Sequence, residues 1–157
     1  MPGLKPAAII RAGFEYQDLI GIQGLIDFYR NRNKYRWMLL ESEDAEMGYL
    51  DDIVAALSDG TFNLMQVKFT ADSAKYFLGW DWLFEKKLKG TTLLKKWSST
   101  ANGFTLGKIS VACLQTNRVP DAEFKKALGA DGRIDFDKIA LPRRTAVEKE
   151  IGSAFLA

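Results

Sequence analysis

Apolar residues recur along this chain with two different periods. Over residues 13–30, GFEYQDLIGIQGLIDFYR, the residues Phe14, Leu19, Ile22, Leu25, Ile26 and Tyr29 fall at helical spacing and predict an amphipathic helix with a broad apolar stripe. Gly21 and Gly24 weaken that helix locally and permit close packing against a sheet. Residues 35–40, YRWMLL, read as a short strand that delivers Glu41 at its end. Two more strands, 52–57 and 61–69, flank Ser58-Asp59-Gly60, a three-residue hairpin loop whose glycine supplies the left-handed conformation such loops need. One face of these strands carries Val54, Ala56, Phe62 and Leu64, the other Ile53, Ala55, Leu57, Met65 and Val67. Strands apolar on both faces belong in the middle of a sheet covered by helices on each side.

Beyond the hairpin, residues 70–78 carry no clear period and read as a lid-like connection. Helices are predicted over 80–87 and 91–99, over 121–128 with Asp121 as N-cap, and over 142–156 with Pro142 in the first turn. Trp97 reads as a core residue of the second of these rather than a base-stacking platform. A further strand, 108–114, encloses Cys113, read as a buried core thiol. The order of elements predicts an α/β sandwich around a mixed central sheet flanked by helices. A length of 157 residues predicts one domain. The last helix is still apolar at Phe155 and Leu156, so the chain is expected to be the N-terminal part of a longer protein. No run approaches the roughly 20 apolar residues that span a bilayer. The stretch MPGLKPAAIIRAGF is too short in apolar residues for a secretory signal, so a cytoplasmic protein with no membrane partner is expected.

Composition narrows the chemistry. The chain has no histidine and one cysteine, which removes Ser-His-Asp and Cys-His hydrolases, intrachain disulfides and Cys/His zinc sites. Any enzyme built from it works with carboxylates, amides, lysines and hydroxyls, and oxygen ligands suit hard cations such as magnesium. The net charge of +2 is too small to diagnose a nucleic-acid binder. Its distribution says more. Arg30, Arg32, Lys34 and Arg36 form one basic cluster; Lys86, Lys87 and Lys89 another; Lys95 with Lys96, and Arg143 with Arg144, two more. Acidic residues gather between Glu41 and Asp52. Basic clusters around an acidic centre suit a phosphate backbone held over a metal, while solvated helix ends explain each cluster singly.

The hairpin gathers the candidate chemistry. A three-residue loop pairs Asp52 opposite Gln66, and Lys68 shares that face by the period of two. A carboxylate, an amide and an ammonium then converge at one end of an apolar hairpin, where a charge needs a partner or a metal. A two-residue Asp-Gly turn would instead bring Asp51 beside Gln66 and Lys68. The longer loop is preferred because the apolar run starts after Asp52 and Asp51 then points to solvent. A strand-end salt bridge between Asp52 and Lys68 is the plainer account of the same residues.

Asp52…Gln66-x-Lys68 on a hairpin resembles the QxK variant of the PD-(D/E)XK, restriction endonuclease-like superfamily. A closer likeness runs through Gly13-Phe14-x-Tyr16-Gln17, Glu41, Asp51-Asp52-Ile53, Gln66-Val67-Lys68, Leu93-Leu94-Lys95-Lys96-Trp97 and Thr116-Asn117-Arg118. These look like the double-stranded-DNA endonuclease effector domain of bacterial antiphage defence proteins, which is joined to CBASS sensors or STAND-type NTPases. The resemblance implies a restriction endonuclease-like core and a magnesium-dependent endodeoxyribonuclease, with manganese able to substitute. It implies a catalytic set of Asp52, Gln66, Lys68 and Glu41. The metal would be held by Asp52, Gln66, the Val67 carbonyl and Glu41. Glu15 and Gln17 are possible auxiliaries, and Lys95, Lys96 and Arg118 are candidates for the DNA backbone. Double-stranded DNA, a C-terminal sensor or NTPase domain and a homo-oligomer are the partners it implies. Low base specificity is expected, since no reading helix or zinc finger is evident. The competing expectation is a catalytically silent DNA-binding or oligomerisation module of the same fold.

Overall fold

The computed structural model describes residues 5–42, 49–86, 90–103 and 108–152. The acidic stretch 43–48, Lys87, Lys89, Phe155 and Leu156 lie outside the described residues. Helix α1 (Pro6–Arg30) leads into β1 (Tyr35–Leu40), β2 (Ile53–Leu57) and β3 (Phe62–Lys68). Then come α2 (Trp80–Leu83), α3 (Leu93–Gly103), β4 (Ile109–Thr116), α4 (Ala122–Lys126) and α5 (Leu141–Ile151). The strands form one mixed sheet in the order β1-β2-β3-β4, antiparallel across the first three and parallel between β3 and β4.

The chain divides into two compact units. The first comprises the residues up to Ser73 with Thr100–Asn117, and the second comprises Ala74–Ser99 with the residues from Arg118 onward.

In the first unit the hairpin closes as its loop predicts. Leu57 donates to the Thr61 carbonyl at 2.8 Å, Gly60 turns to φ +87°, and Asp59 Oδ1 accepts from the Thr61 N–H at 2.9 Å. The register Ile53↔Met65, Val54↔Leu64 follows from that loop length. Every residue of β2 is buried, as expected of a strand with neighbours on both edges and apolar side chains on both faces. The glycines of α1 approach the sheet closely: a Cβ at Gly21 would meet Leu40 at 3.3 Å, and one at Gly24 would meet Met38 at 3.4 Å.

Two expectations for α1 are corrected. The helix starts at Pro6, where a proline in the first turn lacks a donor the helix could not have used. Its apolar stripe is not buried: Phe14, Leu19, Ile22, Leu25, Ile26 and Tyr29 are all exposed, and Gly21 is the one buried residue of the helix. Helical spacing identifies an apolar face without saying what covers it, and here Gly21 and Gly24, with Phe28 on Tyr35 and Tyr16 beside Phe69, meet the sheet while the stripe stays exposed.

The second unit has its own core of Trp80, Leu83, Leu94, Phe124, Ala127, Ile139 and Val147, with the Trp80 and Phe124 rings 4.7 Å apart. Trp97 packs against this cluster as a partly buried member. Asp121 caps α4, its Oδ1 accepting from the Phe124 N–H at 2.7 Å, a bond that satisfies one of the helix's orphan donors.

Candidate active site

The end of the hairpin is built by the parting of two strands. In an antiparallel ladder every second facing pair exchanges backbone bonds. Counting from Leu57 and Thr61, the series runs through 55/63 and 53/65 and next reaches 51/67. There the ladder breaks. The Asp51 carbonyl instead accepts from Ser42 at 3.0 Å, and the Asp52 carbonyl accepts from Glu41 at 2.9 Å. Asp52 Oδ2 takes the Val67 N–H at 2.6 Å, so a carboxylate stands where a backbone carbonyl would have been. The amide and carbonyl of one strand residue face the same edge, so the Val67 carbonyl is turned toward the same gap.

Lys68 Nζ lies 3.8 Å from the same Asp52 Oδ2, with side-chain exposures of 35% and 17%. That separation is at the outer limit of an ion pair and longer than a charge-assisted hydrogen bond, so the Val67 amide is the closer anchor of the carboxylate. The paired register with β2 ends at Ile53↔Met65, one position short of Asp52 and Gln66; Gln66 pairs with Leu114 on the β4 side and is buried, 6% exposed. Asp51, expected to point into solvent, is half-buried. Burial is the chief reason its carboxyl titrates above the usual range, the neighbouring Asp52 charge raises it further, and Lys68 acts in the opposite direction.

On the β1 side Glu41 meets Asp52 through the backbone, its N–H donating to the Asp52 carbonyl. It is the non-glycine residue of positive φ, +51°, among the described residues, a conformation held at a cost where β1 ends. Its Oε1 accepts from Gln17 Nε2 at 3.0 Å. Gln17, Asp18, Gly21, Ile22, Leu40, Glu41, Asp52 and Ile53 border a cavity of about 410 Å³. Asp52 is therefore the shared member of two groupings, one with Glu41 and Gln17 from α1 and β1, the other with Val67 and Lys68 from β3.

Other candidates are placed elsewhere. Glu15 pairs with Arg11 at 2.9 Å on the exposed surface of α1, one turn away. Lys95 is exposed and Lys96 half-buried on α3, in the second unit. Arg118, also in the second unit, stacks its guanidinium 4.2 Å over the Trp82 ring and donates to the Phe77 carbonyl at 3.3 Å. Burial holds its pKa below the usual arginine range. Arg143 and Arg144 are engaged by Asp81, Glu123, Asp137 and Glu148, an internal use of one predicted basic cluster. Asp18 escaped the sequence reading. Its signal was position: it precedes Gly21 and Ile22 by three and four residues, on the helix face that borders the cavity.

The donor set can be weighed for a cation. Among the described residues no three of His, Cys, Asp and Glu converge as ligands. Asp52 and Glu41 border one cavity with Gln17 and Asp18, a donor set compatible with a hard cation bound through one or two carboxylates and otherwise by water or phosphate, while Gln66 and Val67 do not border that cavity.

No family model, curated protein or solved structure matches the chain. Among the described residues no helix is long and apolar enough to cross a membrane.

Proposed function

We propose that the first unit is a metal-dependent endonuclease of restriction endonuclease-like fold, hydrolysing double-stranded DNA with low sequence specificity. The observation that carries this reading is the Asp52 carboxylate, held by the Val67 N–H and faced by Lys68 at the point where β2 leaves β3. A simple strand-end salt bridge needs neither the broken ladder nor the strained Glu41 at the same place. The mixed sheet with a central hairpin supports the fold. The antiphage setting, the cytoplasmic location and a C-terminal sensor or NTPase partner rest on the sequence resemblance alone.

Asp52 and Glu41, with the Gln66 and Val67 oxygens, would hold magnesium or manganese, which supplies charge neutralisation and a more acidic water when bound. In hydrolysis a water oxygen bonds to phosphorus as the bond to the leaving oxygen breaks; the attacking water gives up a proton to solvent, and the leaving oxygen gains one from solvent. Lys68 offsets the charge that grows on the phosphoryl oxygens. The Val67 N–H fixes the orientation of Asp52, and Gln17 fixes that of Glu41.

Plasmid nicking by the purified chain with Mg²⁺ or Mn²⁺ tests the reading. Lys68→Ala is expected to lower the rate by about 10²- to 10³-fold with the circular dichroism spectrum unchanged. DNA binding should weaken steeply with salt, since contacts go mostly to phosphate. Absence of cutting under any condition, with cation binding unaltered by Asp52→Ala, would remove the enzyme. The second reading, an oligomerisation module, is favoured by the exposed apolar stripe of α1. Sedimentation of the wild-type chain against a Leu25→Glu, Ile26→Glu variant, both residues lying off the cavity, separates it: a loss of assembly with unchanged nicking assigns the stripe to assembly alone.

A further inference from the structure

The far end of β3 is held by side chains on both edges. On the β2 edge, the Asp52 carboxylate takes the Val67 N–H at 2.6 Å. On the other edge the parallel ladder with β4 ends at Lys68↔Thr116. Two residues beyond Lys68, at Thr70, the next residue after Thr116 completes it with its side chain: Asn117 Oδ1 accepts the Thr70 N–H at 2.8 Å, and Nδ2 donates to the Thr70 carbonyl at 2.7 Å. One amide thus satisfies both backbone groups of Thr70, which is 7% exposed. A terminal carboxamide matches a peptide group in donor and acceptor, so this pair acts as one more rung of the ladder. Asn117 follows the last residue of β4, Thr116, and is also the last residue of the first unit.

Lys68 lies between these two anchors. Its own ion pair with Asp52 is long and partly solvated, and such pairs contribute little to holding a strand. Without Asn117 the β4 edge would end at its last rung, Lys68↔Thr116, and Thr70 would lose its hold there. Val67 and Lys68 would then lie at a frayed strand end, kept in place by that rung and by the carboxylate that the proposed chemistry needs for a cation. We propose that Asn117 is a positioning residue: it fixes the end of β3 so that the Val67 backbone and Lys68 stay aligned on Asp52. The functional half of this inference rests on the nuclease reading; the structural half does not.

Asn117→Ala in the full chain tests it with two independent readouts. Amide hydrogen exchange of the metal-free protein is expected to speed up about tenfold or more at both Thr70 and Val67, with Leu64 in mid-strand unchanged. Nicking at saturating DNA is expected to fall by about tenfold to a hundredfold while KM for DNA stays within about twofold, the mark of misplacement rather than lost binding. Asn117→Asp keeps the acceptor for the Thr70 N–H and loses the donor. It is expected to lie between wild type and alanine, and it replaces alanine if that variant unfolds. Acceleration at Thr70 with Val67 exchange and nicking both at wild-type values would overturn the proposal, as would uniform acceleration through Leu64, which signals general loss of stability. If the wild-type chain does not cut DNA, the nuclease reading fails and the exchange pattern at Val67 decides the positioning role by itself.

Discussion

Tyr35 illustrates how a single polar contact is set by its surroundings. Its hydroxyl donates to Asp27 Oδ2, whose other oxygen accepts from Asn31 Nδ2 at 2.7 Å. The Tyr35 hydrogen bond is the main cause that holds the Asp27 carboxyl below its usual range, and burial is the main cause that raises the Tyr35 phenol. A depressed acid pKa stabilises the fold above the ordinary carboxylate value and stops doing so as pH falls through the depressed one. A raised phenol pKa stabilises below the ordinary tyrosine value and fades as pH rises through the raised one. Tyr35→Phe is therefore expected to cost about 1 kcal/mol at neutral pH, the low end for a bond to a charged group because the pair is partly solvated. The difference from wild type should shrink below about pH 4 and above about pH 10. Denaturant melts across pH would show it, and a difference that stays constant at both extremes would contradict it. At this scale the candidate site was partly legible. Loop length gave the register up to Ile53↔Met65, and alternation brought Lys68 to Asp52, 3.8 Å away. The Val67 N–H bond to Asp52 was not legible, because it arises from strands parting, which no periodicity records. Asn117 was legible in a motif and not in its role, since a side chain that imitates a ladder rung leaves no spacing signal.

Among the elements, α1 departs most from its reading and the hairpin least. A hairpin loop of three residues dictates which strand positions face each other, so sequence alone reaches the register. A helical stripe dictates only that apolar residues share a face. On α1 the closest approach is at Gly21 and Gly24, whose missing side chains let the helix settle onto Leu40 and Met38, with Phe28 packed on Tyr35 and Tyr16 beside Phe69, none of these four helix residues belonging to the stripe. This makes the two glycines unequal. Gly24→Ala is expected to stabilise by up to about 1 kcal/mol, because helix propensity rises and the flexible Met38 thioether yields to a new Cβ. Gly21→Ala should gain less, since the branched Leu40 is 3.3 Å away. Thermal melts of both variants check this; a larger gain at residue 21 than at residue 24 would refute the packing argument. The ends of elements were the least legible part, as at α2, which stops at Leu83 where the apolar pattern suggested residue 87.

Across the whole molecule, the fold class follows from the order of elements, and the α/β character with a four-stranded mixed sheet is what that order predicts. Two compact units in 157 residues could not be seen in composition, because the second unit draws on two separated stretches of chain and no linker marks the crossings. The central proposal concerns the first unit alone: that the lip of the hairpin holds a cation. The most direct measurement is anomalous diffraction from a crystal of the chain soaked in Mn²⁺. The account predicts a peak bounded by the Asp52 carboxylate and the oxygens of residues 66 and 67, absent in Asp52→Ala. A saturating soak that leaves this gap without a peak, with Asp52 still bonded to the Val67 N–H, would contradict it.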